Sequence, residues 1–285
     1  MSLRQKIVGI IRILRPELPL AAAVCVLLGE VLALGSLPPL RALTLGFLCG
    51  FFLSASALVT NDYFDLEVDR INAPGRPLPA GLLSLPEALA LGLLLGLLGL
   101  AAAGLLGPLA LIPAAILWSL GFLYNWRLKS AGLWGNLIVS TSVGGTFILG
   151  GIAVGQALNP LVWVFAAVAF FFDLAEEIAG DAMDAEGDRQ RASRSIAIVK
   201  GKRAALRFSA VLFGFVVLLT LLPVLLGWLG WFYLAIISLT DLLIGFFTIK
   251  LITSQTVEAG HRWMRLLYIC ASLGLLAFLI SSLLR

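Results

Sequence analysis

The run "SLPEALALGLLLGLLGLAAAGLLGPLALIPAAILWSLGFLY", residues 84–124, contains a single charged side chain, Glu87, and decides the architecture. About 20 consecutive apolar residues cross a bilayer as an α-helix. This run is long enough for two crossings, divided at Gly107-Pro108, a pair that stops one helix and starts the next. Runs of the same kind fill the rest of the chain. Of its 285 residues, 60% are hydrophobic and 13% charged, against about 25% charged in a typical soluble domain. A soluble fold has no interior large enough for that much apolar surface. The chain therefore reads as an integral membrane protein. Helices are the spanning element, because each satisfies its own backbone groups in lipid; the short alternating segments of a β-barrel do not occur.

The pattern predicts an all-α bundle of nine transmembrane helices in one domain, residues 1–285. The spans fall near 16–35, 40–60, 84–106, 108–124, 133–154, 160–178, 206–226, 228–248 and 264–284. Arg4, Lys6, Arg12 and Arg15 run up to the first span with no small-residue cleavage site after it, so the opening segment reads as an interfacial helix, not a signal peptide. With a cytoplasmic N-terminus, the inside segments hold all 20 Lys and Arg except Arg41 and Arg285. That bias orients the protein and places its C-terminus outside. Topology thus accounts for the net charge of +4 without any nucleic-acid partner. Cys25, Cys49 and Cys270 fall in or beside spans and read as packing residues. His261, the only histidine, reads as a cytoplasmic loop residue with no partners for a zinc or haem site.

The polar chemistry is concentrated. "DYFDLEVDR", residues 62–70, ends the second span, and "DAMDAEGDR", residues 181–189, ends the sixth. Both set aspartates at i, i+3 and i+7, which on a helix fall within about 60° of one another. So Asp62, Asp65 and Asp69 are expected on one face, and Asp181, Asp184 and Asp188 on another. Clustered carboxylates repel, and near a membrane each is expensive. Mg²⁺, held by carboxylates, water and phosphate oxygens, offsets both penalties. Neither stretch has the calcium-loop pattern of an EF-hand. Two matched clusters on the same side suggest two ions with a diphosphate between them. Solvated helix ends are the plainer reading for either cluster taken singly.

Cations follow the carboxylates: Arg70 and Arg76 after the first cluster, Arg189, Arg191 and Arg194 after the second. Arginine suits bidentate contact with phosphate. Arg76 sits among Pro74, Pro77 and Pro79, a stiff loop able to close over an anion. Asp173, deeper in the sixth span, is an intramembrane acid, read either as a site residue that helps bind or deprotonate the acceptor or as the partner of Lys129 or Arg15 in a structural ion pair. Glu30 and Asp241 are also intramembrane and receive no role. Gly92, Gly96 and Gly99 suit close helix packing.

"NDYFDLEVDRINAPGRPLPAG" resembles the first signature, Asn-Asp-x-x-Asp-x-x-x-Asp, of the UbiA superfamily of intramembrane prenyltransferases. "DAMDAEGDR" is similar to its second aspartate-rich motif, and "YNWRLKSAGLWGNLIVS" to the segment that supplies a tyrosine and a lysine. The resemblance covers essentially the whole chain. It implies a transferase, with its cavity on the cytoplasmic side, that uses Mg²⁺ to move a prenyl chain from an isoprenyl diphosphate to an acceptor. It implies one metal–diphosphate face on Asn61, Asp62, Asp65 and Asp69, and the other on Asp181, Asp184 and Asp188. Lys129 and Arg76 would contact diphosphate oxygens, and Tyr124 would lie near the reacting carbon; Asp65, Asp184, Lys129 and Tyr124 are the catalytic candidates. The second motif is nearest the archaeal branch that places a geranylgeranyl group on geranylgeranylglyceryl phosphate. Arg15, with Arg194 and Arg191 as helpers, would then meet the acceptor phosphate, and Asp173 the acceptor itself. Phe122, Trp126, Phe147 and Phe170 are wall candidates for the prenyl tail. An aromatic acceptor is the alternative, and a cation transporter the alternative of another class. Arginines escorting the carboxylates would repel a bare cation, which disfavours a transporter. Membrane lipid is the expected surrounding, with no obligate protein partner evident.

Overall fold

The computed structural model describes residues 3–188 and 194–283. Every regular element among them is helical: α1 Leu3–Leu14, α2 Glu17–Leu34, α3 Leu40–Phe64, α4 Leu66–Asn72, α5 Leu85–Leu106, α6 Pro108–Leu123, a π-helical turn Tyr124–Leu128, α7 Leu133–Ala153, α8 Pro160–Asp188, α9 Ile196–Lys200, α10 Lys202–Leu225, α11 Trp231–Ile252 and α12 Val257–Leu283. Eight helices among the described residues are long and apolar enough to cross a membrane: α2, α3, α5, α6 with the π turn, α7, α10, α11 and α12. The expected sixth span, α8, is not among the eight. Its 29 residues suffice in length, but Asp173, Glu176 and Glu177 interrupt its apolar run.

Local chemistry sets the boundaries. Ser84 and Glu87 form a reciprocal capping box at the start of α5, with a proline in the first turn. Gly107 closes α5 and precedes α6 at φ 131°, a backbone open to glycine, and Pro108 follows at the first helical position.

The chain forms two compact units: Met1–Glu30, Pro38–Trp126 and Thr146–Ala157 in one, and Val31–Leu37, Arg127–Gly145 and Leu158–Arg285 in the other. In the first unit, α3 lies on α5 along its glycines. A Cβ on Gly99 would come within 2.7 Å of the Leu53 side chain, and one on Gly96 within 2.5 Å of the Trp118 ring. Polar groups tie the same seam: Ser56 donates to the Gly92 carbonyl at 2.7 Å and accepts from Trp118 Nε1 at 2.9 Å. The end of α7 crosses α2 at glycines on both helices. A Cβ on Gly29 would lie 2.2 Å from the Phe147 carbonyl oxygen, and one on Gly150 2.1 Å from that of Val26. Close approach needs small residues, and these supply it. Glu30 is fully buried beside that crossing, with its carboxyl over Gly46 and neither oxygen hydrogen-bonded among the described residues.

The second unit is organised by α8. Leu174, Ala175, Ile178, Ala179, Ala182 and Met183 recur at helical spacing and are buried in one core with Leu206, Phe213, Leu251 and Leu267. The acids of α8 fall between them, on the other face. Asp241 in α11 is answered by Thr220, which donates to it at 2.9 Å, and Tyr233 donates to the Thr220 carbonyl at 2.8 Å. The three cysteines are unpaired and buried or half-buried, as packing residues should be.

Candidate functional site

The first acidic cluster hangs on a bend in the chain. The i, i+3, i+7 spacing leads one to expect a continuous helix, yet α3 ends at Phe64 and α4 begins at Leu66. Asp65 stands between them at φ −87°, ψ 0°, a bridge conformation common at active sites. The backbone ladder survives the bend: Asp65 N–H donates to Asn61 at 3.0 Å, and Asp69 N–H to Asp65 at 2.8 Å. Asp62 and Asp69 are buried, 3% and 5% exposed, while Asp65 is half-buried.

Arginines answer the two buried carboxylates. Arg15 Nη2 lies 2.6 Å from Asp62, and Arg76 Nη1 lies 2.7 Å from Asp69 and 3.6 Å from Asp62. Arg15 is thus on the first cluster itself, not on a subsite apart from it. It joins α1 to α2 at φ +43°, the one non-glycine residue at positive φ among those described. Such a backbone is strained by about 1–3 kcal/mol, and Pro16 after it restricts Arg15 further. Burial works against the charge of Arg76. The hydrogen bond to Asp69 and the charges of Asp62, Asp69 and Asp65 outweigh it, raising the guanidinium pKa above its ordinary value.

The loop that carries Arg76 is pinned, not a free flap. Pro77, Leu78 and Leu83 are buried, Arg76 N–H bonds to Ala73, and Ala80 N–H bonds back to Arg76. From α1, Arg12 donates to the Gly75 carbonyl at 2.8 Å, and Lys6 pairs with Glu87. Asn61 is oriented from the π turn: its Nδ2 donates to Asn125 Oδ1 at 3.1 Å. Asn125 in turn donates to the Ala57 carbonyl and to Thr60, each at 3.2 Å. Sequence reasoning quoted Asn125 but passed over it for its neighbour Tyr124. A buried amide in an apolar run was the available signal. A π turn, frequent at functional sites, was not legible beforehand.

The second cluster lies on an unbroken helix. Asp173, Glu177, Asp181 and Asp184 follow one another at helical spacing along α8. From α7, Ser140 donates to Asp173 at 2.8 Å and Asn136 to Asp181 at 2.9 Å. These two positioning residues were also missed; both are buried polar groups on an apolar span. Asp184, 60% exposed at its side chain, lies 3.1 Å from His261 Nε2. His261 belongs to α12 and not to a loop, because the last helix begins at Val257, earlier than the hydropathy change suggests. Lys129 lies near enough to Glu177 to act on its charge. Arg194 is exposed, and its N–H bonds to Ser130 at 3.1 Å. The Asp188 side chain, Arg189 and Arg191 lie outside the described residues. Of the aromatic wall candidates, Phe147 is closed off at 1% exposure and Trp126 is 53% exposed.

Among the described residues, no three His, Cys, Asp or Glu side chains gather into a metal cage. Mg²⁺ does not need one: it takes one or two carboxylates and completes its shell with water and substrate phosphates. Asp62 and Asp69, buried oxygen donors met here by cations, fit that donor set.

A UbiA prenyltransferase family model matches residues 22–280 and so runs through both units. The digeranylgeranylglyceryl phosphate synthase of Thermococcus kodakarensis is 34% identical over 275 residues, 96% of this chain and 98% of the relative. A solved structure described as concerning digeranylgeranylglyceryl phosphate synthase in membranes superposes with a TM-score of 0.81 at 29% identity, covering 98% of this chain and 99% of that one. A UbiA homolog from Archaeoglobus fulgidus, bound to DMAPP and Mg²⁺, shares the fold with a TM-score of 0.70 at 20% identity, covering 96% and 98%. Bend, carboxylates, arginines and full-length similarity agree: this chain belongs to the UbiA prenyltransferase family of intramembrane enzymes.

Proposed function

We propose that this prenyltransferase moves a geranylgeranyl group from its diphosphate to the free hydroxyl of geranylgeranylglyceryl phosphate. The observation that carries the reading is similarity to an archaeal digeranylgeranylglyceryl phosphate synthase along 96% of the chain. The carbon–oxygen bond of the allylic diphosphate breaks and pyrophosphate leaves. An ether bond then forms to the acceptor oxygen as its proton passes to Asp173. When bound, Mg²⁺ neutralises the charge that builds on the leaving diphosphate. Two ions, one per carboxylate cluster, match the two motifs.

In this reading Asp62, Asp65 and Asp69 hold one ion, and Asp181, Asp184 and Asp188 the other. Asn61 is fixed by Asn125 to assist the first. Arg76 and Lys129 bind diphosphate oxygens, and Tyr124 offers an aromatic face to the developing cation. Arg15, which pairs with Asp62, would also meet the acceptor phosphate, with Arg194 assisting. Asp173, oriented by Ser140, receives the acceptor hydroxyl. We further propose that α8 is a ninth span, that the nine form a single domain with a cytoplasmic N-terminus and an outside C-terminus, and that the site opens to the cytoplasm.

The test is a product analysis. Purified enzyme with Mg²⁺, geranylgeranyl diphosphate and geranylgeranylglyceryl phosphate should release pyrophosphate and form the doubly prenylated lipid seen by mass spectrometry. An enzyme that ignores this acceptor and prenylates an aromatic acid instead overturns the acceptor assignment.

A further inference from the structure

A cleft of about 320 Å³ lies at the α1 end of the first unit, lined by Arg12, Ala73, Gly75, Arg76 and Pro77. It is shallow and open to the surface, a shape that receives a headgroup and does not enclose a ligand. We infer that this cleft, with Arg12 as its principal cation, binds the phosphate group of a lipid-like ligand.

Three observations converge. The first is charge. Lys6, Arg15, Arg70 and Arg76 each face a carboxylate, whereas Arg12 meets only the Gly75 carbonyl among the described residues. That bond anchors one nitrogen of the guanidinium at the cleft and leaves its other donors for a ligand. Arg76 serves both sides: Asp69 holds its Nη1, and its side chain also lines the cleft. The second is the shortage of other donors. Pro74 and Pro77 have no N–H, and the Ala73 and Arg76 N–H groups bond to Asp69 and Ala73, so anion recognition rests mainly on the two guanidinium groups, which suit phosphate, with the Gly75 N–H beside them.

The third is depth. On α1, Gly9 and Ile13 are buried, while Leu3, Ile7, Val8 and Ile11 are exposed along the opposite stripe. A helix with such a stripe and flanking cations lies in the headgroup layer. Arg12 therefore sits at the depth where lipid phosphates are found. Two sources share this chemistry: the phosphate of the prenyl acceptor, which Arg12 would then hold in addition to Arg15, and the headgroup of a bilayer phospholipid. The first source rests on the proposed function; the cleft itself does not.

The experiment compares wild type, Arg12→Gln and Arg12→Lys in neutral detergent. Glutamine removes the charge, and lysine, long enough to keep both a charge and a bond to the Gly75 carbonyl, controls for the loop contact. Binding is read by native mass spectrometry with lysophosphatidic acid, a phosphate-monoester lipid, and needs no turnover. Arg12→Gln should weaken it about tenfold or more, the loss of a charge-assisted contact, and Arg12→Lys should recover part. Undiminished binding by Arg12→Gln overturns the inference. Kinetics then separate the sources. A rise in KM for geranylgeranylglyceryl phosphate, with KM for geranylgeranyl diphosphate steady, assigns the cleft to the acceptor. Loss only of activation by phosphatidylglycerol vesicles assigns it to the bilayer. Wild type that binds lysophosphatidic acid but forms no lipid product refutes the proposed reaction and leaves the cleft standing.

Discussion

At the scale of single residues, the pair Arg15–Asp62 carries the most energetic information. Asp62 has a side chain 4% exposed, and its nearest cation is the strained Arg15 at 2.6 Å. Removing one partner of a buried pair typically costs about 3–5 kcal/mol, because a charge is left unanswered. Here Arg76 remains within 3.6 Å and Arg15 is 29% exposed, so a smaller loss applies. Arg15→Gln should lower stability by about 1–3 kcal/mol, read as a drop in melting temperature in detergent. Adding Asp62→Asn should restore part of it, since the orphaned charge is then gone. Additive losses in the double mutant would show that the two side chains do not answer each other. Within the cluster, arginine supplies neutralising charge to the two buried carboxylates.

At the scale of elements, glycine crossings set how closely the helices of the first unit pack. Gly150 on α7 and Gly29 on α2 allow backbone to meet backbone, with no flexible side chain to yield. Gly150→Ala places a methyl 2.1 Å from the Val26 carbonyl oxygen, so the helices must part. Overpacking of this kind costs about 1–3 kcal/mol, and thermal unfolding of the purified protein measures it. Gly214→Ala, where nothing lies near the added methyl, is the control and should be neutral or slightly stabilising. A further element in question is α8. If it spans, a cysteine at the exposed Gln156 and one at the exposed Gln255 face opposite sides of the membrane. Impermeant thiol reagents should label Gln156→Cys from outside and Gln255→Cys only from the cytoplasm. Labelling of both from one side would leave α8 on the surface and the span count at eight.

For the whole molecule, the two acidic clusters fall in different compact units, Asp65 in one and Asp184 in the other. If both serve one diphosphate, their losses should not add. Groups acting as a unit each cost nearly the full effect alone. Asp65→Asn and Asp184→Asn should each reduce turnover by on the order of 10³-fold, several kcal/mol of charge stabilisation. The double mutant should be scarcely worse, with pyrophosphate release as the readout. Multiplying losses would mean that the clusters act independently.

The sequence alone determined what hydrophobicity and spacing can determine. Apolar runs such as residues 84–124 can only be buried in lipid or in one another, so membrane helices and their breaks at Gly107-Pro108 were legible. The aspartate motifs and the loop arginines were legible too, because ligand chemistry is local in sequence. Only the tertiary structure decided which cation meets which carboxylate. Arg15 and Asp62 are far apart in the chain, and Arg15 meets Asp62 from a backbone at positive φ that composition does not announce. It also decided that the helix bends at Asp65, that Asn125, Asn136 and Ser140 aim the site's polar groups, and that His261 reaches Asp184. The physical reason is common to all of these. Hydropathy averages over a turn of helix, whereas a hydrogen bond or ion pair depends on where one side chain of one helix meets one of another.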